Sequence, residues 1–262
     1  MKGSLYIDGL AAAGEFCFTT GALAQKLSIS LVAALAIIRR LRAQGAVATP
    51  YKGFHLIVPP EYRALGCLPP EQFIHDLMAH LKIPYYVALL SAAQFYGAAH
   101  QKPQVFQVMI PENRVNIQCG HINISFVARR CMNALPAQPF KTPKGYVNVS
   151  TRELTALDIV NYPLRSGGLN NVVTVLEELV EGIDSQALEN LIKKIETTSQ
   201  LQRLGFFLDA IKSRDLAQIV ANELAGRWSK PILLASRVKT QKTDIIHPRW
   251  KVIVNENWES DL

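Results

Sequence analysis

The chain has 262 residues, 49% apolar and 19% charged, with a formal net charge of +7. Its length suggests a small domain plus a larger one rather than a single small core. No apolar run reaches the roughly 18 residues of a membrane span, and the first ten residues lack the apolar core of a secretory signal. Cys17, Cys67, Cys119 and Cys131 are widely spaced and form no CxxC pair, which argues against a disulfide framework. The expectation is a cytoplasmic protein with reduced, mostly buried cysteines and no membrane partner.

In chain order, residues 5–13 read as a first helix, with Ser4 as a cap and Gly14 as its stop. A short extended piece at 15–18 follows. Thr19 or Thr20 then caps a helix through 21–27, and Ser28-Ile29-Ser30 makes a tight turn. Ser30 caps a longer helix over 31–44, on which Leu31, Leu35, Ile38 and Leu41 form an apolar stripe, with Gly45 past its end. Two β-rich runs, 46–49 and 54–58, are joined by the turn Pro50-Tyr51-Lys52-Gly53. This is the order of a winged helix-turn-helix, whose second helix enters a major groove.

Pro59, Pro60, Pro69 and Pro70 place a domain boundary, giving a winged helix-turn-helix domain at 1–66 and a larger domain at 67–262. Beyond it, helices are expected at 71–81 and 84–97, and strands at 105–110 and 122–127, with Gly120 in the turn between them. A loop at 136–145 and a strand at 146–149 follow, then helices at 151–162, 170–181, 185–196 and 199–212, and a final strand at 250–254. The fold class is α+β, an N-terminal winged helix-turn-helix followed by a larger mixed α+β domain.

Charge is distributed unevenly. From Phe16 to Pro60 there is no acid, while Lys26, Arg39, Arg40, Arg42 and Lys52 fall in that stretch. From Lys82 to Arg152 the only acid is Glu112; from Glu153 to Gln200 acids outnumber bases. A solvated surface usually mixes signs, so the basic stretch suggests a polyanionic partner. Lys26, Arg39, Arg40, Arg42 and Lys52 are the expected DNA-backbone contacts, with Tyr51 at the wing. Ser28, Ser30, Ala33 and Ala34 lie where base edges should pass, and no Asn or Gln early in the helix reads adenine. Lys102, Arg129, Arg130, Lys141 and Lys144 form a second basic surface that extends the footprint or meets RNA, nucleotide or an acidic protein face.

Catalytic signatures are missing. His75 and His80 are five apart, unlike the pair in HExxH. Cys119, His121 and Cys131 lack the fourth ligand and the spacing of a zinc site. Gly167-Gly168 precedes a helix, as phosphate turns do, but without a GxGxxG or P-loop pattern it reads as a helix–helix turn with Asn170 as cap. Glu177 and Glu178 are consecutive and do not share a helix face, and there is no GxSxG elbow. No catalytic residues, metal or cofactor are expected, and the chain is not expected to be an enzyme.

The segment VSTRELTALDIVNYPLRSGGLNNVVTVLEELVEGID from Val149, followed by LQRLGFFLDAI from Leu201, resembles the AbiEi family of antitoxins from type IV toxin-antitoxin (abortive infection) systems. The run Tyr85 to Ala93, the N-terminal winged helix and the tail Arg249 to Asn255 are similar to that family as well. The resemblance implies a repressor that binds operator inverted repeats on double-stranded DNA. It also implies a C-terminal domain opposing a nucleotidyltransferase-like toxin, AbiEii. A stand-alone regulator or a protein-interaction module without a toxin is the alternative.

Overall fold

Thr19 and Ser30, both in extended backbone, each turn a hydroxyl toward a helix start: Thr19 Oγ1 accepts from Ala22 N at 3.1 Å and Ser30 Oγ from Ala33 N at 3.2 Å. In the computed structural model, which describes residues 2–99, 103–132, 134–235, 238–239, 241 and 244–258, these caps open α2 (Thr20–Leu27) and α3 (Leu31–Ala43). They follow α1 (Lys2–Ala12) and β1 (Cys17–Thr19), and precede β2 (Val47–Tyr51) and β3 (Phe54–Ile57). The three strands form one antiparallel sheet in the order β1-β3-β2. Helix–strand–helix–helix–strand–strand is the order expected from the sequence.

The inward stripe of α3 differs from the one expected. Ala34, Ile38 and Leu41 are buried, with Ile37 packed against them, whereas Leu31 is 59% and Leu35 49% exposed. The reason lies in α1, where a β-carbon on Gly3 would overlap Ile37 Cγ2, so α1 lies close over the 34/37/38/41 face and turns Leu31 and Leu35 outward.

Contacts group the chain into two compact units. One is Met1–Val87 with Gln104–Met132 and Pro139–Asn148; the other is Ala88–Pro103 with Asn133–Gln138 and Val149–Leu262. Beyond the N-terminal elements, the first unit holds α4 (Ile74–Leu81) and most of a six-stranded sheet. Its strands are β4 (Tyr86–Val87), β5 (Phe106–Ile110), β6 (Ile117–Cys119), β7 (Ile122–Ala128), β8 (Ala137–Thr142) and β9 (Gly145–Ser150), in the order β6-β7-β5-β4-β9-β8. Strands β5 and β7 are parallel, and β6 and β7 form a hairpin turning at Gly120.

Two expectations fail here. The helix expected at 84–97 divides into β4 and α5 (Leu89–Phe95), because Tyr86 and Val87 pair with Met109 and Val108 and Leu89 takes a φ of 55°. The loop expected at 136–145 is strand β8. Its Pro139 and Lys141 are compatible with a strand because β8 is the outer edge of the sheet, where proline removes no needed hydrogen bond and charge is solvated.

The second unit is mainly helical: α5, α6 (Arg152–Asn161), α7 (Gly168–Val180), α8 (Ser185–Ile192), α9 (Thr198–Ala210) and α10 (Arg214–Ala225). A small sheet of β10 (Ile232–Leu233), β12 (Val252–Val254) and β11 (Ile245–His247) completes it. Helix α10 and strands β6, β10 and β11 were not expected. Helix α6 is buried from Glu153 to Val160, as a helix packed on several sides must be. Its polar groups are bonded: Thr155 Oγ1 lies 2.6 Å from Ser150 Oγ, and Glu153 Oε1 accepts from Asp184 N at 3.1 Å. The fold is mixed α+β. Among the described residues no single helix is long and apolar enough to cross a membrane.

Candidate nucleic-acid interface

Helices α2 and α3 meet at 111°, within the range of helix-turn-helix pairs. Ser28 makes the turn in the left-handed conformation, and Ile29 N donates to Ala24 O at 3.0 Å. Leu23 and Ala24 of α2 and Ala34, Ile38 and Leu41 of α3 share one core with Ile7, Phe18, Val47 and Ile57. This packing leaves Leu31, Val32, Leu35, Ala36 and Arg39 on an exposed side of α3.

Of the expected contact residues, Lys26, Ser28, Ser30, Arg39, Arg40, Arg42 and Lys52 are exposed, and Ala33 and Tyr51 are half-buried. Ala34 is a correction: it is fully buried in the core and cannot meet a base edge. The positions that face outward in its place are Leu31, Val32 (78% exposed) and Leu35. The sequence contains the signal, since Ala34, Ile38 and Leu41 are as well spaced for a helix face as Leu31, Leu35, Ile38 and Leu41. Arg40 and Arg42 also lie in the last turn of α3, where positive charge is favoured by the helix dipole.

The hairpin β2–β3 turns at Lys52-Gly53, with Gly53 at φ 80°. Its Tyr51 hydroxyl accepts from Arg114 Nη1 at 3.1 Å, with the guanidinium 5.7 Å from the ring centroid. Arg114 lies more than sixty residues away in the chain, and sequence reasoning missed it. Inside the sheet, His55 is 2% exposed and bridges two threonines, with Nε2 2.8 Å from Thr20 Oγ1 and Nδ1 2.9 Å from Thr49 Oγ1. Burial, with Arg42 adding to it, lowers its pKa to about 4, so the ring is neutral at pH 7.

Beside α3 a cavity of about 560 Å³ is lined by Arg39, Arg42, Thr49, Gly66, Gln118 and Cys119. No ion pair joins either arginine to a carboxylate among the described residues.

The second basic surface is only partly assembled. Arg130 and Lys141 are exposed. Arg129 is a correction: it is 8% exposed, with Nη1 3.5 Å from Tyr86 Oη, and belongs to the interior rather than the surface. Lys144 is half-buried over the Phe16 ring, and burial lowers its pKa. Lys102 lies outside the described residues.

Two of the motifs weighed for catalysis are engaged structurally. His75 Nδ1 lies 3.3 Å from the Tyr85 hydroxyl. Helix α7 starts at Gly168, so Asn170 sits in its first turn rather than at the cap. Asn171 holds the glycine turn instead, donating to Ser166 O at 2.8 Å. Among the described residues no group of three or more His, Cys, Asp or Glu could hold a metal ion.

Residues 86–210 match the family model described as the AbiEi antitoxin C-terminal domain. No curated protein matches the chain. The crystal structure of the RV2827C protein from Mycobacterium tuberculosis is similar at 19% identity, with a TM-score of 0.67 over 99% of this chain and 91% of that one, a likeness of fold. An antigenic nucleotidyltransferase-like protein from Paracoccidioides brasiliensis, at 9% identity and a TM-score of 0.35 over 57% of this chain and 89% of that one, is too distant to support any inference. The match begins at strand β4 and runs to the last residue of α9, taking in the TALDIVNYP, GGLNN and QRLGFFL segments, so that over these residues the chain is similar to the AbiEi antitoxin C-terminal domain.

Proposed function

We propose that this AbiEi-type protein is a transcriptional repressor that binds double-stranded DNA through a winged helix-turn-helix, and that it opposes a nucleotidyltransferase-like toxin of the AbiEii kind. The observation that carries the DNA reading is the 111° pair α2/α3, with the exposed Arg39, Arg40 and Arg42 on α3 in a stretch free of acids. Phosphate neutralisation supplies most of the affinity, from these arginines with Lys26 and Lys52. Ser28, Ser30 and Ala33, joined by Leu31, Val32 and Leu35, face the bases. Apolar side chains there suit thymine methyl groups, which fits a helix without Asn or Gln. The toxin role rests on the family match in the C-terminal part.

The test is a mobility shift on the operator inverted repeats upstream of the protein's own gene. The double variant Arg39→Glu/Arg40→Glu should lose binding and keep its circular dichroism spectrum. For the parent protein, log affinity should fall with log salt by about 0.9 per phosphate contact. Unchanged binding by the variant would sink this interface. Co-expression with an AbiEii-like nucleotidyltransferase tests the other half: growth should be rescued, and equally by the double variant.

The exposed Leu31, Val32 and Leu35 favour one second reading, a protein-interaction module that uses the same face. A salt-insensitive protein complex, with no shift on DNA, would support that reading over the first.

A further inference from the structure

Residues 65–67 run against 119–121 in the antiparallel sense. His121 N donates to Leu65 O at 2.8 Å. One step inward, a β-carbon on Gly66 would lie 3.2 Å from Gly120 Cα, and one on Gly120 would overlap Leu65 O. Both glycines have positive φ, 67° and 58°, and their lack of side chains lets the two backbones touch. Carried one residue further, the same approach brings Cys67 beside Cys119, each thiol perturbing the other's titration; a disulfide joins β-carbons about 3.5–4.5 Å apart.

The two thiols differ in environment. Cys67 is fully buried. Cys119 is half-buried and lines the cavity with Arg39 and Arg42. The Cys67 thiol lowers the pKa of Cys119, with help from the backbone at Thr49 and from Arg42, while the neighbouring Cys119, with burial, raises that of Cys67. An accessible thiol that ionises more readily, beside a buried one, is the arrangement of an attacking and a resolving cysteine.

We propose that Cys67 and Cys119 are an oxidisable pair that a peroxide converts to an intramolecular disulfide. Cys119 Sγ attacks the peroxide O–O bond and takes one oxygen as a sulfenic acid, and the other oxygen leaves as water. Cys67 Sγ then attacks the sulfenic sulfur, forming the S–S bond and releasing a second water. Two thiols lose two electrons and two protons, and one hydrogen peroxide is reduced to two waters. The bond ties the segment after Tyr62 to β6 at the wall of the arginine-lined cavity. The proposal stands independently of the DNA reading, because it is measured by mass.

The full-length protein is treated with hydrogen peroxide, alkylated with iodoacetamide and digested without reduction. The expected result is a loss of two hydrogens per molecule and one linkage, between the peptides of Cys67 and Cys119, reversed by dithiothreitol. The linkage should persist in Cys17→Ser/Cys131→Ser. In Cys67→Ser, Cys119 should stop at the sulfenic acid and be captured by dimedone. If that buried substitution prevents folding, Cys119→Ser carries the test, since it must abolish the linkage. Four alkylatable thiols after peroxide and denaturation, or linkage through Cys17 or Cys131 instead, would overturn the proposal.

Discussion

Gly205 and Trp250 occupy each other's space: a β-carbon on Gly205 would overlap the six-membered ring of Trp250. Trp250 is 1% exposed, and its Nε1 donates to Asp209 Oδ2 at 2.6 Å, one helical turn along α9. Arg249 Nη1 meets the same carboxylate at 2.9 and 3.0 Å. Gly205→Ala must therefore displace the indole and should cost about 1–3 kcal/mol. Trp250→Ala should cost about 3–5 kcal/mol. Chemical denaturation checks both; an unchanged midpoint for Gly205→Ala would show that the ring moves freely.

The corrected orientation of α3 separates two neighbouring substitutions. Val32→Ser, at a position 78% exposed, should change stability by no more than about 0.5 kcal/mol. Ala34→Leu, in a site with no exposure, should destabilise by about 1–3 kcal/mol. Thermal melts of the pair would test the orientation, and a stable Ala34→Leu with an unstable Val32→Ser would reverse it.

His55 gives stability a defined pH dependence. Its folded pKa is lowered from 6.5 to about 4. Between those values the unfolded chain binds a proton that the folded chain does not, so acidification across the window removes stability. The full loss is about 3 kcal/mol. Above pH 6.5 the ring is neutral in both states and contributes no slope. Urea denaturation at pH 7 and at pH 4.5 should show the loss, and His55→Asn should flatten the difference whatever its own stability.

Capping offers a smaller effect. Ser30→Ala removes the acceptor for Ala33 N and should cost about 1 kcal/mol. Hydrogen exchange should quicken first at the start of α3. Exchange unchanged at Ala33 would mean that the hydroxyl contributes little there.

What could be read from the sequence was mostly local. Thr19 and Ser30 announce their helices because a cap bonds within three residues, and Gly45 and Gly53 mark turns by their positive φ. Tertiary information was harder to extract. Two apolar stripes compete on α3, and α1 decides between them through Gly3. Strand β8 looks like a loop because an edge strand tolerates proline and lysine. Arg129 looks like surface charge until Tyr86 is seen beside it. Arg114 reaches Tyr51, and Gly66 meets Gly120, across separations that no periodicity records. Helix α10 was missed although it is amphipathic, with Leu216, Ala217 and Val220 inward.

The imidazole between Thr20 and Thr49 also has a mechanical meaning. One ring joins the first turn of α2 to the strand that leads into the hairpin tip, and α3 is fixed to both through the shared core. The helix pair and the hairpin are thereby spaced as parts of one rigid tool. A ligand that touches both meets surfaces whose separation was set during folding, so little ordering entropy remains to be lost when it binds.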